Sequence, residues 1–277
     1  TFGEPTDPPL LLIMGLGEQM IRWHDAFCQQ LAAMGLWVIR YDNRDVGRST
    51  KFEAAGVPNV MALLMSGQPP DRRGVPYTLS DMANDAVGLL DALEVESAHV
   101  VGVSMGGMIA QTLALQYPDR VRTLTSIMSS TGNPELPQPK AEVLLLYQQV
   151  PPENRAEYIE HVVRRQRLLA GSHYPIDEGY VRSLAGRAFD RGFYPQGISR
   201  QLAAIIISGN RKAALQTLQV PTLVIHGDAD PLVSVEAGKD TAASIPGAKL
   251  LIIENMGHDI PVAVAPQILE AISQHIR

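Results

Sequence analysis

The sequence predicts an α/β fold, with a mostly parallel sheet, helices on both faces and an inserted helical segment. Three observations predict it: short apolar runs typical of buried strands, helical patterns between them, and one long stretch in which the alternation stops. Apolar residues make up 45% of the 277 residues, so the chain can bury a full hydrophobic core. The runs that predict strands are residues 10–14, 36–41, 98–103, 123–128, 222–226 and 249–253.

Helices are expected between these strands. Apolar side chains recur at helical spacing in residues 23–34, 81–93, 106–117 and 266–276. Gly35 can cap the end of the first helix, Thr78 or Ser80 can cap the start of the second, and Pro118 ends the third. Because strand and helix alternate along the chain, we expect the strands to run parallel to one another.

The alternation stops between residues 131 and 215. No buried strand is predicted there, and helical patterns rich in arginine take over. The net charge of this segment is +3, against −9 for the rest of the chain. The sequence therefore predicts two domains: a core made of residues 1–130 and 216–277, and a helical cap made of residues 131–215. The cap is expected to cover a pocket at the core and to set what that pocket accepts separately from the core itself, with Leu168 and Phe193 among its pocket residues.

A second irregular stretch lies between residues 48 and 77. Its apolar part, residues 59–65, predicts a short helix that lies on another part of the protein. Residues 68–74 (QPPDRRG) follow and predict a turn.

Composition excludes several classes of function. The net charge of −6 gives no basic surface for nucleic acid or an anionic membrane. A single cysteine, Cys28, with no cysteine–histidine cluster, excludes a disulfide scaffold and predicts no metal site. Residues 97–118 carry no charge, but they contain polar residues and glycines, so no membrane span is expected. No signal peptide opens the chain, which predicts a cytoplasmic location unless a segment upstream of Thr1 has been removed.

The strongest motif, Gly102-Val103-Ser104-Met105-Gly106, lies between a predicted buried strand and a predicted helix. In this context, G-x-S-x-G forms a strained turn that exposes the serine hydroxyl at the carboxyl end of the strand. The glycines let the backbone close without a Cβ clash. The following helix directs its N-terminal amides to the same point, where an oxyanion would form. Ser104 is therefore the candidate nucleophile.

Two further motifs follow later strands. His258 comes shortly after the strand at residues 249–253, and histidine is the usual general base because its pKa lies near neutral pH. Residues 226–231 (HGDADP) follow the strand at 222–226, and a carboxylate there could orient His258. Asp228 and Asp230 are both candidates from the residues alone, because aspartate also forms turns by bonding nearby backbone. We interpret the remaining histidines, including His226, as structural or exposed.

Together these motifs resemble α/β-hydrolase-fold serine esterases with a helical cap, in the group of aclacinomycin methylesterase-like enzymes and cofactor-free haloperoxidases acting as perhydrolases. The order of nucleophile, acid and base along the chain is that of this fold. In such proteins the acid ends a G-x-x-D turn, which implies Asp230 as the acid. The resemblance also implies that the backbone N–H groups of Leu16 and Met105 bind the oxyanion. Met14 stands where relatives carry a histidine.

The resemblance extends to residues 42–49, which are similar to the family's D-x-R-G-x-G-x-S turn. Asp45 stands where glycine is usual, and Asp42 and Arg44 are interpreted as structural. Family members have two antiparallel strands before the strand at residue 10. Nine residues are too few for both, so a segment upstream of Thr1 is expected.

These features predict a serine hydrolase that cleaves small-molecule carboxylic esters through an acyl-enzyme intermediate and needs no cofactor. A serine at position 104 argues against haloalkane dehalogenases and epoxide hydrolases, which use aspartate there. Several alternatives stay open. A lactonase, a carbon–carbon bond hydrolase or a perhydrolase would share the triad, and a ligand-binding or sensor homologue would keep the residues without turnover. The oligomeric state is not predicted.

Overall fold

A computed structural model describes residues 1–65, 74–147 and 149–277. Within these residues, six strands form one parallel sheet in the order β2-β1-β3-β4-β5-β6. The strands are β1 (Pro9–Ile13), β2 (Trp37–Arg40), β3 (Ala98–Val103), β4 (Val121–Ile127), β5 (Thr222–Gly227) and β6 (Lys249–Ile253). Every predicted strand is present, with ends that differ by at most two residues. The predicted fold class is confirmed.

Eleven α-helices are found in the described part of the chain. They are α1 (Asp25–Ala33), α2 (Val60–Met65), α3 (Leu79–Ala92), α4 (Met105–Gln116), α5 (Ala141–Tyr147), α6 (Arg155–Ala170), α7 (Glu178–Gly192), α8 (Gln196–Ser208), α9 (Lys212–Leu215), α10 (Val235–Ser244) and α11 (Ala265–Ile276). No described helix is long and apolar enough to cross a membrane.

The core lies on both faces of the sheet, because successive side chains of a strand point to opposite sides. In β1, Leu10 and Leu12 pack in the cluster that includes α1 and α11. Leu11 and Ile13 pack on the other face, in the cluster that includes α3 and α4. The unbroken apolar runs of the sequence are explained by this burial on both faces.

Local capping sets the helix bounds. The first helix begins two residues later than predicted, because His24 caps it by accepting a hydrogen bond from the Ala26 amide. For α3, Thr78 is the N-cap, and it forms a reciprocal capping box with Asp81. Gly35 follows α1 with a φ of +82°, as the predicted C-terminal cap requires.

The segment between β4 and β5 contains α5 to α9 and no described strand, and we call residues 131–215 the helical insertion. The predicted short helix at residues 59–65 is α2, which contacts α8 of the insertion. All but the last residue of the turn predicted at 68–74 lie outside the described residues.

Candidate active site

Ser104 lies at the turn between β3 and α4. Its φ of 56° is in the left-handed region, which is unfavourable for a residue with a side chain. The turn is also tight, since a Cβ on Gly102 would overlap the Gly106 carbonyl and a Cβ on Gly106 would overlap the Ile13 carbonyl. The strained backbone and the two glycines are the features that the motif predicts.

His258 contacts Ser104 from the loop after β6. Its Nε2 lies 3.0 Å from Ser104 Oγ, and its Nδ1 lies 2.6 Å from Asp230 Oδ2. An ionised carboxylate only accepts hydrogen bonds, so Nδ1 carries the hydrogen and Nε2 is left to accept from the Ser104 hydroxyl. The structure therefore brings together three side chains from three loops at the carboxyl edge of the sheet.

Asp230 is buried and fixed from two sides. Its Oδ1 accepts the backbone N–H groups of Leu232 at 2.9 Å and Val233 at 2.8 Å, which leaves Oδ2 for His258. Burial alone would raise the pKa of Asp230. The charge of His258 and hydrogen bonds from His226 and His258 outweigh burial and hold this pKa below its ordinary value. The carboxylate is therefore ionised near neutral pH.

Asp228, the other candidate for the acid, lies elsewhere. It is exposed, and its Oδ1 accepts the backbone N–H of Asn255 at 2.6 Å. Asn255 has a φ of +58°, so Asp228 stabilises the turn that follows β6. The expectation of a turn-forming role agrees with this position, although the turn belongs to the neighbouring loop and not to residues 228–231.

The two amides expected to bind an oxyanion flank Ser104. Leu16 follows β1 and Met105 is the first residue of α4, and both residues line the same cavity as Ser104. Within the described part of the chain, neither backbone N–H has a hydrogen-bond acceptor. Gly15 brings the loop against the serine, because a Cβ at this position would lie 3.2 Å from Ser104 Cβ. An oxyanion formed on a substrate bound to Ser104 would supply the missing acceptor.

A cavity of about 1630 Å³ opens above Ser104 and His258. Its wall is built from the sheet edge, α2 and the helical insertion. Mostly apolar side chains line it, and those from the insertion include Leu169, Ile198, Leu202 and Ile205. Leu168 and Phe193, expected as pocket residues, do not line it. Phe193 instead packs on Tyr158 and Phe189.

Residues 42–49 hold the neighbouring loops in place. Asp42 accepts the Met20 amide at 2.8 Å, and Arg44 forms a two-pronged ion pair with Asp85. The structural interpretation of Asp42 and Arg44 agrees with these contacts. Asp45 has a φ of +67°, and its buried carboxylate pairs with Arg200 of the insertion.

Two buried side chains near the site were not identified from the sequence. His226 is completely buried, and its Nε2 donates to the Val233 carbonyl at 2.8 Å and lies 3.5 Å from Asp230 Oδ2. Gln201 of α8 is also completely buried and contacts the loop that contains Leu16. The position of His226 at the end of a buried strand is a signal in the sequence, whereas Gln201 has none. Among the described residues, no group of histidine, cysteine, aspartate or glutamate side chains could hold a metal ion.

A family model of the α/β-hydrolase fold matches residues 8–262 of the chain. The chain belongs to the α/β-hydrolase family. Among its α/β-hydrolase relatives, rhodomycin D methylesterase of Streptomyces sp. strain C5 is 35% identical over 302 residues, covering 100% of this chain and 93% of that protein. Rhodomycin D methylesterase of Streptomyces peucetius is 34% identical over 299 residues, with the same coverage.

The likeness to these α/β-hydrolases extends to solved structures. The crystal structure of a hydrolase from Pseudomonas aeruginosa superposes with a TM-score of 0.72 and 25% sequence identity, covering 99% of this chain and 91% of that one. The resemblance that the motifs predict is therefore confirmed along nearly the whole chain.

Proposed function

We propose that this protein is a carboxylic ester hydrolase in which Ser104 is the nucleophile, His258 the general base and Asp230 the residue that orients His258. The proposal rests above all on one observation, the unbroken hydrogen-bonded series from Asp230 through His258 to Ser104 at the floor of a large cavity. The similarity along the full chain to two methylesterases supports the choice of an ester as the substrate.

The reaction follows from this geometry. His258 Nε2 removes the proton of Ser104 as Oγ attacks the ester carbonyl, and the backbone N–H groups of Leu16 and Met105 bind the oxyanion. His258 then gives the proton to the departing alcohol. In the second half, His258 activates a water molecule that hydrolyses the acyl-enzyme. Asp230 stays ionised throughout and stabilises the imidazolium that forms twice in each cycle.

The cavity favours a bulky ester. Pockets for drug-sized ligands commonly occupy about 300–1,000 Å³, and this cavity of about 1630 Å³ is larger. The matched relatives are methylesterases by name, which supports a small alcohol as the leaving group, and the size of the cavity supports a large acyl part. We also propose that residues 1–130 and 216–277 form the catalytic core and that the helical insertion is its cap. The cytoplasmic location stays a prediction.

A panel of p-nitrophenyl and methyl esters of graded acyl size tests the proposal. We expect turnover by the wild-type protein and a loss of several orders of magnitude in Ser104→Ala, because removing a triad member has effects of that size. Ser199→Ala is the matched control, since Ser199 lines the same cavity without contacting His258. Turnover within tenfold of wild type in Ser104→Ala would disprove its role as nucleophile. A ligand-binding protein would show no turnover above background with any ester.

A further inference from the structure

The loop after β1, residues 14–19, contains the Leu16 amide, and we call it the oxyanion loop. The core contacts the start of this loop, where Asn43 Nδ2 donates to the Met14 carbonyl at 2.8 Å. Within the loop, the Glu18 amide donates to the Gly15 carbonyl at 3.3 Å. The second bond holds the Gly15–Leu16 peptide, whose N–H is the Leu16 amide, and neither bond holds the next peptide, between Leu16 and Gly17.

Gln201 of α8 contacts that peptide. Its Oε1 accepts the Gly17 amide at 2.8 Å, and its Nε2 donates to the Arg44 carbonyl at 2.8 Å. The backbone amide can only donate and the backbone carbonyl can only accept, so both bonds are made by one orientation of the carboxamide. Gln201 is completely buried, which means that water does not compete for these bonds.

A second contact places the same face of α8 against the loop. Gly17 has a φ of +69°, and a Cβ at this position would lie 2.9 Å from Cγ1 of Ile198. Ile198 and Gln201 are three residues apart, so they lie on one face of the helix. Gly17 therefore permits close approach of α8, and Gln201 bonds the amide that this approach brings within reach.

The helix itself is held firmly. Arg200, next to Gln201, forms a buried ion pair with Asp45 through Nε at 2.8 Å and Nη2 at 3.0 Å. Arg200 also donates to the Gly56 carbonyl and to the Tyr194 hydroxyl. The bonds from Arg200 to Asp45 and Gly56 hold α8 against the core. The Gln201 side chain is therefore held at a fixed position beside the oxyanion loop.

We propose that Gln201 is a positioning residue for the oxyanion hole: by holding the Gly17 amide it fixes the Leu16–Gly17 peptide, and with it the turn that directs the N–H of the adjoining Gly15–Leu16 peptide at the developing oxyanion. This inference rests on the proposed function. Gln201 belongs to the helical insertion, so the insertion helps to position the oxyanion hole as well as forming part of the pocket wall. Such a role is expected to stabilise the transition state more than the bound substrate.

The first test is Gln201→Met, which keeps the length of the side chain and removes both hydrogen bonds. Removing a whole oxyanion-hole donor lowers kcat by about 10²–10³-fold, and we expect a misdirected donor to lower it by roughly 10- to 100-fold. KM for a short ester should stay within about twofold of wild type, because the bond is used mainly in the transition state.

A transition-state analogue separates positioning from simple stabilisation. A small trifluoromethyl ketone accepts Ser104 Oγ at its carbonyl carbon, the carbonyl electron pair moves to oxygen, and the proton passes to His258. The adduct carries an oxyanion, so its inhibition constant should rise by the same factor as kcat/KM falls in Gln201→Met. The inhibition constant of an alcohol product, which has no oxyanion, should stay within about twofold of wild type.

Gln201→Glu provides a second readout that does not require a stable Gln201→Met protein. A protonated carboxyl can accept from the Gly17 amide and donate to the Arg44 carbonyl, as the glutamine does, whereas a carboxylate cannot donate. Burial raises the pKa of the introduced carboxyl. The kcat of Gln201→Glu relative to wild type should therefore fall as pH rises through this pKa.

Ser208→Ala is the matched control on the same helix. Ser208 Oγ accepts the Leu79 amide at 2.9 Å, so the substitution removes a bond between α8 and the core that does not involve the oxyanion loop. It should lower Tm and leave kcat unchanged. Inhibition by the ketone equal to wild type in Gln201→Met would overturn the inference, as would a parallel loss in Ser208→Ala. Failure of the wild-type protein to hydrolyse any ester would instead overturn the proposed function.

Discussion

Ser104 and Asp230 take their positions from the core, whereas His258 and the oxyanion loop also depend on the helical insertion. The Ser104 amide donates to the Ile127 carbonyl of the neighbouring strand β4 at 2.9 Å. The Asp230 carboxylate accepts the amides of Leu232 and Val233 in the loop after β5. By contrast, the His258 amide donates to the Leu169 carbonyl of α6 at 2.7 Å. The Gly17 amide of the oxyanion loop is bound by Gln201 of α8.

This difference assigns separate mechanical roles to the two regions. The proposed nucleophile and acid are held by bonds within the core, while the proposed base and the oxyanion loop are also held by α6 and α8. Arg22 adds a side-chain link of the same kind, because its Nη2 donates both to Gln166 of α6 and to Asp259 beside His258. The sequence predicts a cap that sets specificity separately from chemistry, and these contacts point to a shared role.

The largest expected effect comes from the proposed acid, which the core holds in place. Asp230→Asn should lower kcat on the order of 10⁴-fold, because an amide presents the wrong partner to Nδ1 of His258. Asp228→Asn is the control, since the Asp228 carboxylate bonds the turn after β6, and the substitution should affect Tm more than kcat. Side-by-side measurement of kcat and Tm for the two variants checks this. A greater kcat loss in Asp228→Asn would reverse the assignment of the acid.

The next effect concerns the anchor of the insertion. Arg200→Met leaves the Asp45 carboxylate buried without its cation, and breaking a buried pair in this way costs about 3–5 kcal/mol. We expect the free energy of unfolding to fall by that amount and kcat to fall with it, because α8 carries Gln201. Chemical denaturation and ester kinetics measure the two. A destabilised variant with wild-type kcat would separate the anchor from catalysis.

The same anchor predicts how stability depends on pH. Burial opposes ionisation of Asp45, but hydrogen bonds from Arg200 and Tyr77 lower its pKa below the ordinary value of 3.8. The carboxylate therefore stabilises the fold fully above that ordinary value, and the stabilisation is lost as pH falls through the lowered pKa. Tm should decline less steeply between pH 5 and about pH 3 in Asp45→Asn than in wild type. Equal slopes would contradict the role of Asp45.

A smaller effect should come from the pocket face of the insertion. Leu202→Ala enlarges the cavity near α8, and a change of this kind in an apolar pocket alters discrimination by roughly tenfold. We expect the ratio of kcat/KM between long and short acyl esters to change, with little loss on the shortest ester. Leu184→Ala is the control, because Leu184 is buried in α7 and does not line this cavity. Equal changes with all esters would indicate a stabilising role only.

The smallest effect is expected at Cys28, a buried core residue of α1. Burial raises the pKa of its thiol to about 11, so little thiolate is present at neutral pH. A thiol reagent should therefore leave the native protein unmodified and fully active, and mass spectrometry checks both the modification and its rate. Fast modification with loss of activity would assign Cys28 a functional role.

Much of the sheet and of the Ser104 turn is predictable because the signals are local. Apolar runs identify all six strands, and Gly102 and Gly106 identify the strained turn from five consecutive residues. Chain order and the parallel sheet then bring His258 and Asp230 to the same edge. The start of α1 could not be predicted as well, since capping by His24 depends on the geometry of the turn before the helix.

The contacts made by the insertion could not be predicted from local signals. Gln201 and Gly17 are separated by 184 residues, and no spacing in the sequence relates them. Leu169 contacts His258 through its backbone carbonyl, and such a contact does not require a particular type of residue. A one-residue error in helical phase is enough to expect Leu168 in the pocket in place of Leu169. Long-range polar contacts therefore required the structure.

The bond from the His258 amide to the Leu169 carbonyl determines which parts of α6 can change in sequence. It joins His258 to the insertion through main-chain atoms, so the bond itself does not depend on the side chain at position 169. The same contact requires glycine at position 257, because a Cβ on Gly257 would overlap the Leu169 carbonyl. Side chains of α6 that face the cavity can therefore change towards new substrates while this bond holds the base in place. A chimera that replaces those side chains, and keeps Gln166 of α6 and Gln201 of α8, should retain turnover when the helix still ends at this point in space.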